Sequence, residues 1–129
     1  MKILREPKEK YKINSPEDVF AFLEEFREED REHFIVIGLD TRKNVIYREI
    51  CAIGINNKTI IHQREIFRRA IIDSVDSIII AHNHPSGELK PSEEDEKITQ
   101  TLENGALLLG ITLLDHIIVS REGFKSIKY

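Results

Sequence analysis

One stretch of the sequence joins an apolar run to a pair of histidines: Val75-Asp76-Ser77-Ile78-Ile79-Ile80-Ala81-His82-Asn83-His84. Isoleucine occupies three consecutive positions, so the apolar side chains fall on both faces of an extended backbone. A strand that is apolar on both faces is typical of the centre of a sheet covered by helices on each side. The run over Val75–Ala81 therefore predicts a central strand of an α/β fold.

The flanking sequence predicts further helices and strands on either side of this strand. Ser15-Pro16-Glu17-Asp18 is a strong helix start, because a Ser cap precedes Pro at the first helical position and acids in the first turn. Upstream of the central strand we expect an arm or edge strand over 1–13, a helix from Ser15 to about Asp30, a strand over Phe34–Leu39, a turn over Asp40–Asn44, a strand over Val45–Ile55, a break at Asn56–Lys58 and a helix over Gln63–Asp73. Downstream we expect a loop over Asn83–Pro91, a helix from Ser92 to about Gly110 and strands over Ile111–Ser120 and Phe124–Ile127.

The resulting order is α-β-β-α-β-α-β-β, which predicts a mixed β-sheet flanked by helices. The 129 residues, of which 40% are hydrophobic and 33% charged, fit a single globular domain over 1–129. Cys51 is the only cysteine, so an internal disulfide is excluded, and the chain is expected to be cytoplasmic. The apolar runs are short, so we expect neither a signal peptide at Met1–Pro7 nor a membrane span. A net charge of −4 argues against a protein that mainly grips phosphate backbones.

The two histidines that end the central strand predict a metal site. Residues i and i+2 of a strand point to the same face, so the imidazoles of His82 and His84 can converge on one ion. Asp95 lies on the apolar face of the third helix with Ile98, Leu102, Ala106 and Leu109, which we expect to pack on the sheet. An inward carboxylate there needs a partner, and a cation bound by the histidines would be one. The alternative is that Asp95 only closes a capping box with Ser92, and that the histidines are ordinary loop-edge residues.

These residues carry a resemblance to a known family. His82-x-His84, followed after seven residues by Ser92-x-x-Asp95, matches the signature of the JAMM (JAB/MPN) metalloprotease superfamily. The chain further resembles the bacterial RadC-type branch of that superfamily over about residues 15–128. The blocks that carry this resemblance are Arg31-Glu32-His33-Phe34, Arg64-Glu65-Ile66-Phe67-Arg68-Arg69-Ala70, Ala81-His82-Asn83-His84-Pro85-Ser86-Gly87 and Leu113-Leu114-Asp115-His116-Ile117-Ile118.

The resemblance implies a fold, a metal and a role for each site residue. The fold would be a cytidine-deaminase-like three-layer α/β sandwich, and His82, His84 and Asp95 would bind one Zn²⁺ per chain. Glu32 would act as the general acid/base, taking a proton from zinc-bound water and passing it to the leaving amine. Ser92 would hydrogen-bond the developing oxyanion or orient the site. The implied reaction is hydrolysis of a peptide or isopeptide bond in an unidentified peptide or protein.

Other features leave alternatives open. The RadC resemblance also permits a DNA-repair-associated accessory or binding module with little or no catalysis. Arg64 and Arg68, on one helix face, would then be candidate phosphate contacts, although a solvated face is the expected role of these arginines. A homodimer through the third helix or the amino-terminal arm is a further expectation.

We expect His116 to be a buried histidine bonded to Asp115, with support of the metal site as its alternative role. Cys51 is expected to serve packing rather than catalysis.

Overall fold

The computed structural model describes residues 11–54 and 61–128, which form three helices and five strands. The helices are α1 (Pro16–Phe22), α2 (Gln63–Ile72) and α3 (Glu93–Leu109), and a short 3₁₀ turn over Glu24–Phe26 follows α1. The strands are β1 (His33–Leu39), β2 (Val45–Ile53), β3 (Ser77–Asn83), β4 (Thr112–Ser120) and β5 (Gly123–Ser126). The predicted break at 56–58 and most of the predicted arm lie outside the described residues.

The five strands form one mixed sheet with β3 at its centre. Their order across the sheet is β2-β1-β3-β4-β5, with β3 antiparallel to β1 and parallel to β4. Every residue of β3 is buried, as the run of isoleucines predicted. The β1–β3 register pairs Phe34 with His82, so the loop that precedes β1 lies beside the carboxyl end of β3.

Apolar side chains cover both faces of the sheet. On one face, α2 and α3 pack over a core that includes Phe34, Ile66, Ile78, Ile80, Leu102 and Ala106. On the other face, Val19, Leu23 and Phe26 from α1 and the 3₁₀ turn pack against strand residues that include Ile35, Ile37, Ile79 and Val119. This confirms the predicted three-layer α/β sandwich, in which alternate residues of the central strands face opposite helices.

The first helix is shorter than the sequence predicted. It ends at Phe22 rather than near Asp30. Two acidic residues, Glu24 and Glu25, follow this end, and negative charge near a helix C-terminus is unfavourable. The Arg27 guanidinium also lies over the Phe20 ring, 3.5 Å from its centroid, and donates a hydrogen bond to the Phe20 carbonyl. These contacts hold the chain in a tight turn.

The ends of the chain segments show two further points. Leu109, predicted on the buried face of α3, is 48% exposed and lies in the last turn of the helix, which Gly110 ends with a positive φ of 73°. At the other end, Ile13 is buried and its backbone N–H donates to the carbonyl of Lys43, beside a single β-bridge. Within residues 11–54 and 61–128, no helix has the length and apolarity that a membrane span requires.

Candidate metal centre

Three separate parts of the fold bring four metal-ligating side chains together. Glu32 lies in the loop before β1, His82 and His84 at the carboxyl end of β3, and Asp95 in the first turn of α3. One ligand atom from each residue lies within 4.8 Å of the others. The carboxyl ends of strands in open α/β sheets are a common location of ligand sites. The structure therefore brings all four of these sequence-predicted residues to one point.

Three of the four side chains lie closer together than the fourth. The Nε2 atoms of His82 and His84 are 2.9 Å apart, and each lies 3.3 Å from a different carboxylate oxygen of Asp95. The nearest carboxylate oxygen of Glu32 lies 3.9 Å from His82 Nε2. His82 and Asp95 are fully buried, whereas the Glu32 side chain is partly exposed.

These distances fit a tetrahedral metal ion. Zinc binds imidazole nitrogen and carboxylate oxygen at about 2.0–2.2 Å, which places tetrahedral ligands roughly 3.3 Å apart. The separations among His82, His84 and Asp95 lie at or just below this value. The donor set of two imidazoles and one carboxylate is also typical of zinc sites that keep one position open. The residues present therefore fit the implied metal.

Asp95 both caps α3 and faces the histidines. Its backbone N–H donates to Ser92 Oγ (3.0 Å), and its Oδ2 accepts from the Ser92 backbone N–H (2.9 Å), which makes a capping box. The same carboxylate lies against both imidazoles. The two interpretations of Asp95 that the sequence left open are therefore compatible, because the cap fixes the carboxylate in the position that faces the histidines.

The other nitrogen of each imidazole is hydrogen-bonded. Nδ1 of His82 lies 2.8 Å from His116 Nε2, and Nδ1 of His84 lies 2.8 Å from the Glu88 carbonyl oxygen. Such bonds fix the orientation of a metal-binding histidine and direct its remaining nitrogen toward the ion. Both rings therefore direct Nε2 toward Asp95.

The cluster is electrostatically coupled. Burial alone would raise the pKa of the Asp95 carboxyl, but the adjacent imidazoles of His82 and His84 outweigh burial and hold this pKa below its usual range. Burial also opposes charge on His84, but its hydrogen bonds to Asp95 and the Glu88 carbonyl raise its pKa above the usual 6.5. Concentrated negative charge beside imidazoles is an environment that favours a cation.

Asn83 fixes the loop that carries Glu32. Its side chain is fully buried, with Oδ1 accepting from the His33 backbone N–H (2.6 Å) and Nδ2 donating to the Arg31 carbonyl (2.9 Å). From the other side, the Gly54 N–H donates to the Glu32 carbonyl at 2.6 Å. The backbone on both sides of Glu32 is therefore hydrogen-bonded to the sheet.

Three of the four side chains, Glu32, His84 and Asp95, line a cleft of about 350 Å³, and His82 is buried behind them. Its walls come from the loop before β1, the loop after β3 and the start of α3, and consist of Glu32, His84, Pro85, Ser86, Glu88, Lys90, Ser92, Glu94 and Asp95. Ser92, the fifth predicted site residue, thus lies in this wall, with its hydroxyl oxygen engaged by the Asp95 N–H. The cleft gives a reactant access to this cluster of side chains.

Some residues around the site were not identified from the sequence. His116 is buried and bonded to Asp115 as predicted, through its backbone N–H (2.7 Å), while its ring contacts His82 and Thr99. Asn83 and Thr99 were missed altogether. The sequence offered a signal for each. Asn83 is a polar residue that points to the opposite face of the strand from His82 and His84. Thr99 follows Asp95 by four residues and so lies on the same inward face of the helix.

A comparison with protein families matches a model described as a RadC-like JAB domain over residues 13–129. The match extends over nine-tenths of the chain and includes all four clustered side chains. The chain belongs to the RadC-like JAB domain family. This confirms the resemblance that the motifs indicated.

Relatives of this RadC-like JAB domain are found in archaea and bacteria. It is 43% identical over 126 residues to a UPF0758 protein of Methanosarcina mazei and 44% identical over 122 residues to one of Bacillus licheniformis. A UPF0758 protein of Geobacillus kaustophilus is 43% identical over 121 residues. These alignments cover 97%, 94% and 93% of this chain. The chain spans about half the length of these relatives, 54% in each case.

Proposed function

We propose that this domain is a zinc-dependent amide hydrolase that cleaves a peptide or isopeptide bond. The observation that carries the proposal is the convergence of His82, His84 and Asp95 beside an open cleft: the two Nε2 atoms are 2.9 Å apart, and each lies 3.3 Å from one oxygen of Asp95. A structural zinc site is normally closed by four protein ligands, whereas a hydrolytic site keeps a position for a reactant.

Each side chain has a role that its position supports. His82, His84 and Asp95 would hold the ion; when bound, zinc lowers the pKa of water and polarises a carbonyl group. Glu32 lies 3.9 Å from His82, slightly farther than His82, His84 and Asp95 lie from one another, and its side chain is partly exposed. This position suits a carboxylate that contacts the reactant rather than one that only binds the ion.

The proton transfers follow from this arrangement. Glu32 would take a proton from the attacking water as the oxygen bonds to the carbonyl carbon, and would give it to the amine nitrogen as the carbon–nitrogen bond breaks. Asn83 and Gly54 hold the backbone around Glu32, so its carboxylate stays at the edge of the cleft. Ser92, whose oxygen accepts from the Asp95 N–H, would use its own O–H to donate to the developing oxyanion.

The test separates proton transfer from metal binding. Glu32→Gln keeps the shape of the side chain and removes the base, so hydrolysis of a mixed peptide and lysine-isopeptide library should fall by about 10²–10⁴-fold. Zinc content should stay at the wild-type level. Glu28→Gln, an exposed position in the same loop, is the matched control and should keep full activity. Unchanged turnover in Glu32→Gln, or a zinc-loaded wild type that cleaves no member of the library, would contradict the proposal.

A further inference from the structure

We propose that Thr99 and His116 are positioning residues that hold His82 in the one tautomer able to bind the metal. The proposal rests on the metal site of the proposed function and concerns the positions of the ring protons on His82 and His116. Thr99 Oγ1, the ring of His116 and the ring of His82 form a continuous hydrogen-bonded chain of 2.6 and 2.8 Å contacts that ends at the metal-facing nitrogen.

The Thr99 hydroxyl determines which atom donates in each of these hydrogen bonds. Its oxygen lies 2.7 Å from the Asp95 backbone carbonyl, which can only accept a hydrogen bond. The single hydroxyl proton is therefore committed to that carbonyl. The remaining contact, 2.6 Å from Thr99 Oγ1 to His116 Nδ1, then requires the proton to be on Nδ1.

The proton on His116 Nδ1 fixes the next ring. A neutral imidazole that is protonated at Nδ1 has a bare Nε2, which accepts a hydrogen bond. His116 Nε2 lies 2.8 Å from His82 Nδ1, so His82 donates from Nδ1 and keeps its own Nε2 bare. A bare nitrogen is what a metal ion requires, and it lies at the centre of the cluster.

Burial makes these hydrogen bonds costly to lose. His82 and His116 are completely buried and Thr99 is 6% exposed, so solvent does not replace a lost partner. The opposite arrangement, with a proton on His82 Nε2, would direct an N–H at the position of the metal ion. It would also leave the Thr99 oxygen facing a bare His116 nitrogen with no proton between them. Thr99 thus favours protons on the Nδ1 atoms of His116 and His82 over protons on their Nε2 atoms.

A β-bulge directs His116 to this position. The β3–β4 register pairs Ile78 with Leu113 and Ile79 with Asp115, so Leu114 is an extra residue that shifts the alternation of β4. After the bulge, His116 faces α3 and Ile117 faces α1, the reverse of the alternation that Leu113 would set. The bulge therefore places the His116 ring between β3 and α3.

Zinc affinity tests the proposal directly. Thr99→Val preserves the shape of the side chain and removes the hydroxyl, whereas Thr99→Ser preserves the hydroxyl. Measured by competition with a chromogenic chelator, zinc should bind about 10-fold or more weakly to Thr99→Val, since partners of metal-binding histidines are commonly worth 10–100-fold. Thr99→Ser should restore most of the affinity. Thr101→Val, at an exposed position of the same helix, controls for the substitution itself.

A second measurement reads the protons without using the variants. In the zinc-loaded wild type, nitrogen-15 NMR of the histidine rings should show His116 protonated at Nδ1 and bare at Nε2. A proton on His116 Nε2, or equal zinc affinity of Thr99→Val and wild type, would overturn the proposal while leaving the hydrolase in place. A wild type that binds no zinc would overturn the metal site and this proposal together. If Thr99→Val does not fold, the NMR result on the wild type decides alone.

Discussion

Replacing Asn83 by alanine should destabilise the protein strongly although Asn83 binds no metal. Its amide makes two close, buried hydrogen bonds, one from the His33 N–H at 2.6 Å and one to the Arg31 carbonyl at 2.9 Å. A third contact, to the Glu29 carbonyl, is long at 3.5 Å and adds little. The side chain is fully buried, so water does not replace it.

The size of the loss follows from these contacts. Each ordinary hydrogen bond contributes about 1 kcal/mol net, and a buried N–H left without its acceptor costs a further ~1–3 kcal/mol. For Asn83→Ala, a loss of about 3 kcal/mol in the free energy of unfolding is therefore expected. In a domain of this size, such a loss lowers Tm by roughly 10 °C.

Urea and thermal unfolding of the metal-free proteins measure this directly. Asn104→Ala, at an exposed position on α3, is the control and should change stability by less than about 0.5 kcal/mol. Zinc affinity of Asn83→Ala should remain near the wild-type value, while hydrolysis should fall because the Glu32 loop loses its attachment. A loss of stability below about 1 kcal/mol would refute the inference that these hydrogen bonds fix the loop.

Four further predictions concern the core, the cysteine and the metal. Gly38→Ala should lower the urea midpoint, at a cost of about 1–3 kcal/mol, because the new Cβ would lie 2.1 Å from a carbon of the Tyr47 ring; an unchanged midpoint would contradict this packing. Burial raises the pKa of the Cys51 thiol from 9.0 to about 12, so its alkylation at pH 8 should be much slower in the native than in the unfolded protein. Because the folded state favours the neutral thiol, Cys51 contributes stability below pH 9 that is lost as the pH rises toward 12, which unfolding midpoints across that range would show. The raised pKa of His84 means that a proton competes with zinc, so apparent zinc affinity should increase with pH through and above 6.5, and a flat profile would exclude His84 as a ligand.

The central layer of the fold was predictable because its signal is local. The three isoleucines of β3 are apolar on both faces, and only a covered central strand satisfies such a pattern. The start of α3 was equally clear, since the Ser92 cap and the acid at Asp95 describe a capping box that the structure contains. Local sequence therefore determined these two elements and with them three of the candidate ligands.

The parts that the sequence did not predict depend on contacts between distant residues. The α1 helix ends early because Arg27 folds back on Phe20, a contact that helical periodicity does not show. The direction of the His116 ring depends on a bulge in the β3–β4 register, which only pairing with β3 defines. The role of Asn83 likewise depends on a loop some 50 residues earlier in the chain.

Glu32 was predicted, but neither from local sequence nor from a contact between distant residues. It is one of 23 acidic residues, and composition or spacing gives no reason to select it. The family resemblance indicated it, and the structure then placed it within 4.8 Å of the three other candidate ligands. The antiparallel pairing of β1 with β3, which sets Phe34 opposite His82, is the physical reason for this proximity.

The central claim is that His82, His84 and Asp95 hold a metal ion, and elemental analysis of the purified protein tests it most directly. Wild type, Asp95→Ala and Glu32→Gln should be measured side by side after dialysis against zinc. The predicted result is about one zinc per chain in the wild type and in Glu32→Gln, and almost none in Asp95→Ala. A wild type that stays empty, or an Asp95→Ala protein that retains its zinc, would contradict the site on which the proposed function rests.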